Sequence, residues 1–278
     1  MTQPPILTDR KALALHRSRA RRLPGHDEAL FLHRLALSDL QERLLEVNRR
    51  FTSPAVVTGF PEVFGGFLGA TVVADDDLIA LETGAHDLVV HAMSMHWAND
   101  PIGQLVQCRR ALRPDGLFLA VFPGGRSLQE LRSCLAEAEA GVTGGLSPRV
   151  LPMGEIRDLG ALMQRAGFAL PVADSLVQTV EYRSFPALLT DLRSAGETNA
   201  LAGRIRHFTR RSVLDEAGSI YMRSYTTPEG RLRATAELVF LTGWAPHDSQ
   251  QQPLRPGAAR QRLADALAVP EHPLPKDG

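Results

Sequence analysis

The chain has 278 residues, of which 44% are hydrophobic, and its 31 basic side chains match its 31 acidic ones. That composition suits one large packed domain, and the balanced charge removes the overall field that would attract nucleic acid or anionic lipid. The longest apolar runs, such as 117–122, fall far short of the roughly 20 residues a membrane span needs.

Arg10, Lys11, Arg17, Arg19, Arg21 and Arg22 stand among Ala and Leu with few acids. The pattern fits a structural amphipathic helix; it also overlaps with organelle transit peptides, though it lacks their Ser enrichment. Pro4 and Pro5 lead into no apolar segment of the secretory kind. After a loop at Leu23-Pro24-Gly25, Ala29, Leu32, Leu35, Leu37, Leu40, Leu44 and Leu45 recur at helical spacing, so two helices precede the first strand. Residues 54–58 (PAVVT), closed by Gly59, read as a buried parallel strand. A helix over 62–68 and a strand over 70–74, ending in Asp75, Asp76 and Asp77, come next, then a third strand over 87–92 (DLVVHA). A helix over 102–112 runs into a turn at Arg113-Pro114-Asp115-Gly116, and 117–122 (LFLAVF) is a fourth strand. Strands alternating with helices predict a parallel sheet.

Beyond residue 122 the pattern predicts helices over 127–140, 156–166, 186–195 and 210–225, with strands over 172–180 and 232–244. The near-alternation of Ala234, Ala236, Leu238 and Phe240 suits a late antiparallel strand. A loop over 141–152 follows, and its glycine-rich stretch 144–149 is long enough to shape a lid, with Arg157 and Asp158 as an ion pair to hold it. From 249 the tail is rich in Gln, Pro and Arg and reads as mobile. Cys108 and Cys134 fall inside helices, which argues against a disulfide and fits a reducing cytoplasm. The nine histidines show no metal-ligand spacing, so no metal site is expected, and no Ser/His/Asp or Cys/His nucleophile can be assembled.

The run Asp87-Leu-Val-Val-His-Ala-Met-Ser-Met-His-Trp97, then Asn99-Asp100-Pro101, then Arg110-Ala-Leu-Arg-Pro-Asp-Gly-Leu-Phe118, resembles the middle of class I S-adenosylmethionine-dependent methyltransferases. Gly124-Gly-Arg-Ser-Leu-Gln-Glu-Leu-Arg132, Gly144-Gly-Leu-Ser-Pro-Arg149, Arg165-Ala-Gly-Phe168 and Gly243-Trp244 are similar to one branch of them. That branch holds the mitochondrial complex I assembly factor 5 and its alphaproteobacterial relatives and, more distantly, the malonyl carrier-protein methyltransferase of biotin synthesis. The resemblance implies a Rossmann-like α/β fold with a helical N-terminal extension (1–50), a methyltransferase-like domain with helical cap elements (51–248) and a tail (249–278). It also implies S-adenosylmethionine as cofactor and a protein substrate or assembly partner, with a link to complex I assembly. There the mitochondrial relative is associated with arginine hydroxylation on a partner subunit. The expected place is the cytoplasm, at the inner face of the membrane through a partner.

In the family, a glycine-rich turn after the first strand lets backbone N–H groups approach the methionine end of the cofactor, and an acid ending the second strand holds the ribose. Here that turn reads Thr58-Gly59-Phe60-Pro61-Glu62, with bulk at Phe60 and a donor removed at Pro61. Between Gly59 and Asp87 there is room for one helix and one strand where the family has two of each. The N-terminal half is shortened, and the missing unit is the one carrying the ribose acid. Cofactor candidates are therefore Thr58, Gly59, Asp75, Asp76, His91 and Ser94; catalytic candidates are His96, Trp97 and Arg126. Each has a structural alternative. The Asp75–Asp77 acids can cap a helix starting at Leu78, and His91 can be a satisfied core histidine. Trp97 can pack under the next helix, and Arg126 can cap a surface helix rather than grip a carboxylate. Two readings remain open: an enzyme, favoured if Gly59 and an acid converge on one pocket, and a cofactor-free binding factor, favoured if Phe60, Phe64 or Phe67 fill the cleft.

Overall fold

A computed structural model describes residues 6–250; the expectations for Pro4, Pro5 and the tail from 251 lie outside them. The body, to Pro246, is built on a six-stranded sheet of order β2-β1-β3-β4-β6-β5. Strands β1 (Pro54–Thr58), β2 (Thr71–Val73), β3 (His86–Ala92) and β4 (Leu112–Pro123) are parallel. Strands β6 (Leu232–Trp244) and β5 (Ala169–Tyr182) complete the sheet antiparallel. β1 and β3 are buried along their whole length, as strands covered on both faces must be, which is why they read as unbroken apolar runs. Only one strand, β2, lies between β1 and β3 in the chain, and it pairs directly with β1. The N-terminal half is short, as the spacing predicts.

Helices α1 (Arg10–Ala20), α2 (His26–Ala29) and α3 (Phe31–Glu46) precede the sheet. Leu30, Ala36 and Leu40 pack with Phe60, Phe64 and Phe67 against Val56, Val90 and Leu119 on one face. On the other face, α5 (Pro101–Ala111) and α7 (Ile156–Arg165) cover Val57, Val89 and Phe118. A third cluster joins α6 (Gln129–Thr143), α8 (Phe185–Ser194) and α9 (Arg211–Tyr225) to Leu232 and Ala234, where the β5–β6 arm runs beyond the end of β4. Both cysteines are buried and free, and burial pushes both thiols up, away from the reactive thiolate.

Local chemistry explains the boundaries. Asp100 accepts a hydrogen bond from the Gly103 N–H (2.8 Å) and Pro101 occupies the first turn of α5; Ser184 caps α8 in the same way. Pro61 likewise begins a helix, α4 (Pro61–Phe64), where its missing N–H costs nothing. Several expectations are corrected. The single helix over 62–68 is instead α4 and a short 3-10 turn (Phe67–Gly69), broken where Leu68 adopts φ 52°. No helix begins at Leu78: the Ile79 N–H is held by the Gln107 side chain (2.8 Å), so the three aspartates cap nothing. Arg113-Pro114-Asp115-Gly116 forms no separate turn but belongs to β4, with Asp115 at φ 62° and a register shift against β3 between His86 and Leu88. Among the described residues no ion pair joins Arg157 to Asp158. The loop expected over 141–152 begins only at Gly144, because α6 runs to Thr143, and is held instead by Arg149, whose guanidinium grips Glu139 at 2.7 and 2.9 Å.

Candidate functional site

In an open α/β sheet, ligands bind beyond the carboxyl ends of the strands where strand order reverses. Here the chain leaves β1 for β2 on one side and returns to β3 on the other, so the loops after β1 and β3 face each other. They are stitched together: the Gly59 N–H donates to Ser94 Oγ (2.9 Å), and that hydroxyl donates to the Ala92 carbonyl (3.1 Å). Thr58 is buried, and its Oγ1 accepts from the Phe60 N–H (3.1 Å). Asp75 follows β2 and turns inward, only 5% exposed. Thus Thr58, Gly59, Ser94 and Asp75 converge; Asp76, with its side chain 76% exposed, does not.

What lies between Gly59 and Asp75 is an arginine that sequence reasoning did not single out. Arg17 projects from α1, and its Nη1 sits 2.9 and 3.0 Å from the two Asp75 carboxylate oxygens. A β-carbon placed on Gly59 would lie 2.0 Å from the same Nη1. The guanidinium also lies 4.8 Å from the centre of the Phe60 ring. Arg21, one turn on, donates to the Gly59 carbonyl (2.8 Å) and pairs with Glu62 (3.1 Å). Arg10 closes the outer side through the Asp75 carbonyl and carboxylate. Burial alone would raise the Asp75 pKa, but the Arg17 and Arg10 charges outweigh it and hold the carboxyl below its ordinary value. Helix α1 thus lays a cation over the glycine turn and engages Asp75, the buried acid that remains at the strand ends as a candidate cofactor partner.

This arrangement does not fit S-adenosylmethionine. The Gly59 and Phe60 amides of the turn are committed to Ser94 and Thr58, the acid is neutralised from within the chain, and Phe60, Phe64 and Phe67 are buried in the core beside it. His91 is fully buried on β3, where its Nε2 bonds Gln104 Oε1 (2.9 Å), and Gln104 reaches on to the Asp76 carbonyl (3.1 Å). Burial pushes its pKa down to about 4, so the ring is neutral.

A second polar group lies past the end of β3. Glu197, in the loop after α8, accepts from Trp97 Nε1 (2.7 Å) and lies 3.2 Å from His96 Nε2. Burial raises its pKa, yet His96, Arg17 and His33 more than compensate and bring it to about 2. His33, on α3, packs 4.0 Å from the Phe60 ring and is likewise driven to about 4 by burial. Both its nitrogens, Nδ1 of His96 and Oε1 of Glu197 are buried without hydrogen-bond partners. These groups line one cavity together with Met93 and Trp97. Arg126 is elsewhere: its side chain is 60% exposed, and its backbone N–H and Nε meet Glu237 (2.8 and 3.4 Å). Among the described residues no cluster of His, Cys, Asp and Glu is suited to hold a metal ion, and no helix is long and apolar enough to cross a membrane.

Residues 26–120 match the methyltransferase domain family. The chain is 36% identical over 198 residues to the mitochondrial arginine-hydroxylase NDUFAF5 of Danio rerio, covering 71% of this chain and 61% of that protein. It is 34% identical over 177 residues to the malonyl-[acyl-carrier protein] O-methyltransferase of Laribacter hongkongensis, covering 64% of this chain and 57% of that protein. Among solved structures, the YcgJ protein of Bacillus subtilis aligns with a TM-score of 0.48 and 10% identity, over 75% of this chain and 98% of that one. The chain therefore spans less than two thirds of the length of either curated relative.

Proposed function

We propose that this chain, which matches the methyltransferase domain family over residues 26–120, works as a cofactor-free binding factor for a protein partner in the assembly of respiratory complex I. The observation that carries this reading is the Arg17 guanidinium, seated between Gly59 and Asp75 where the family places its cofactor. A buried ion pair in that position is costly to break, because either charge left alone in low dielectric is strongly penalised. The similarity to NDUFAF5 supports the assembly role and, with it, a site of action in the cytoplasm at the inner face of the membrane, reached through the partner.

A second reading, an S-adenosylmethionine-dependent transferase acting on a protein, has one observation in its favour: Gly59, Ser94 and Asp75 do meet at the strand ends. It requires Arg17 to leave. Deleting the gene in its host and measuring assembled complex I by native gel tests the proposed role. Loss of the assembled complex, restored by the wild-type chain, is the expected result; unchanged assembly in the deletion strain would refute it.

A further inference from the structure

The cavity that begins at His33, His96 and Glu197 extends away from the glycine turn for about 300 Å³, a size that suits a small organic ligand. Its walls are apolar: Leu131 and Leu135 from α6, Leu189 and Leu192 from α8, Ala234 and Leu238 from β6. It continues into an outer vestibule that shares Leu135, Leu189, Leu214, Arg149 and Arg193 with it. The vestibule adds Arg19, Arg22 and Arg204, and no carboxylate side chain lines it. Arg149 is committed to Glu139 and Arg204 to Asp9. Among the described residues, no carboxylate lies within ion-pair reach of Arg19, Arg22 or Arg193. Three unpaired guanidiniums thus surround the mouth of an apolar chamber in a chain of zero net charge.

Such a concentration of one sign at a concave, low-dielectric mouth focuses the field on an anion, and guanidinium forks match carboxylate or phosphate oxygens. The same field repels cationic side chains. The interior, by contrast, is lined largely by apolar side chains; of its polar ones, Tyr182 is bonded to Asp191 and Thr235 to Glu130, whereas His33 at the far end is 3% exposed and lacks partners on both nitrogens. We propose that this hollow binds a free, single-chain anionic amphiphile, with its carboxylate or phosphate head among Arg19, Arg22 and Arg193 and its apolar body between α6, α8 and β6. The inference stands on the cavity and is independent of whether the cofactor cleft is closed.

Calorimetric titration of the full chain with decanoate, decan-1-ol, inorganic phosphate and phosphatidylglycerol vesicles tests it. Decanoate is expected to saturate one site, decanol to bind at least tenfold more weakly, and phosphate to give no heat. Exchanging the exposed arginines, Arg19→Ala with Arg193→Ala, should weaken decanoate at least tenfold and leave decanol unchanged. Leu135→Trp, which fills the chamber, should abolish binding of both, with the far-ultraviolet dichroism of each variant checked against wild type. Equal affinity for decanoate and decanol, binding of phosphate alone, or binding confined to vesicles would overturn the proposal.

Discussion

Replacing Asp75 by alanine should lower the stability of the fold by about 3–5 kcal/mol, the range for a buried charge deprived of its partner. Arg17 and Asp75 have side chains only 7% and 6% exposed, so water screens the pair little. Arg17 Nε and Nη2 already lack hydrogen-bond partners, and removing the carboxylate would leave the cation with no hydrogen-bonded partner, only the Phe60 ring and the more distant charge of Glu197. The double variant Asp75→Ala with Arg17→Met removes both charges and keeps an apolar chain over Phe60. It should recover most of the loss, since uncharged replacements of a buried pair are often neutral. Urea unfolding of the two single variants and the double variant measures the coupling. A single Asp75→Ala variant within about 1 kcal/mol of wild type would show that this pair is not the latch described here. The Asp75 pKa is depressed in the fold, so its contribution is present above the ordinary value of 3.8 and is lost as pH falls through the folded value.

Stability should also fall steeply between pH 6.5 and pH 4, and for a different reason. His33 and His91 both have their pKa lowered from 6.5 to about 4 by burial. Above pH 6.5 neither state binds the proton and the pair contributes no pH dependence. Below it the unfolded chain takes up protons that the fold refuses, so stability is lost until the folded pKa is reached, on the order of 3 kcal/mol for each ring. The charges facing them do not reverse this. Glu197 and Glu62 favour protonation of His33 while His96 and Arg17 oppose it, and for His91 the Gln104 bond and Asp75 favour it while His96 and Arg10 oppose it. Glu197 and Asp75, with ordinary values of 4.5 and 3.8, act at lower pH, which leaves the upper part of the window to the histidines. Urea midpoints for wild type and His33→Leu at pH 7, 5.5 and 4.5 resolve this. The variant should show a clearly shallower loss than the wild type, with His91 and the likewise lowered His16 supplying the rest; equal stability of the wild type at pH 7 and pH 4.5 would exclude the mechanism.

The sheet was legible because its strands are apolar runs bounded by residues with their own turn chemistry. PAVVT ends on Gly59, and the last strand, 232–244, follows the Pro228-Glu229-Gly230 turn. The missing strand of the N-terminal half was legible too, since chain length between Gly59 and Asp87 is a hard limit. The turn at Arg113–Gly116 misled because Pro-Asp-Gly usually reverses a chain, whereas here it is an irregularity within β4, at the register shift between Leu112 and Leu117, held by backbone bonds that join Asp115 and Gly116 to Ala245. The site was harder. Arg17 acts on residues 42 and 58 positions away, and nothing local announces such a contact. One signal was available: Leu13 and Arg17 stand four apart on one helical face with Ala20, and a lone arginine on a face otherwise made of Ala and Leu needs a buried acid. Glu197 gave none, because it sits in a loop whose position is set by the packing of α8 against the body.

The central claim is that the chain's own arginine holds the place a cofactor would need. Calorimetric titration of the wild-type protein with S-adenosylmethionine and S-adenosylhomocysteine tests it most directly. The latched cleft predicts no saturable heat from either ligand up to millimolar concentration, and micromolar binding of either by the wild-type chain would contradict it.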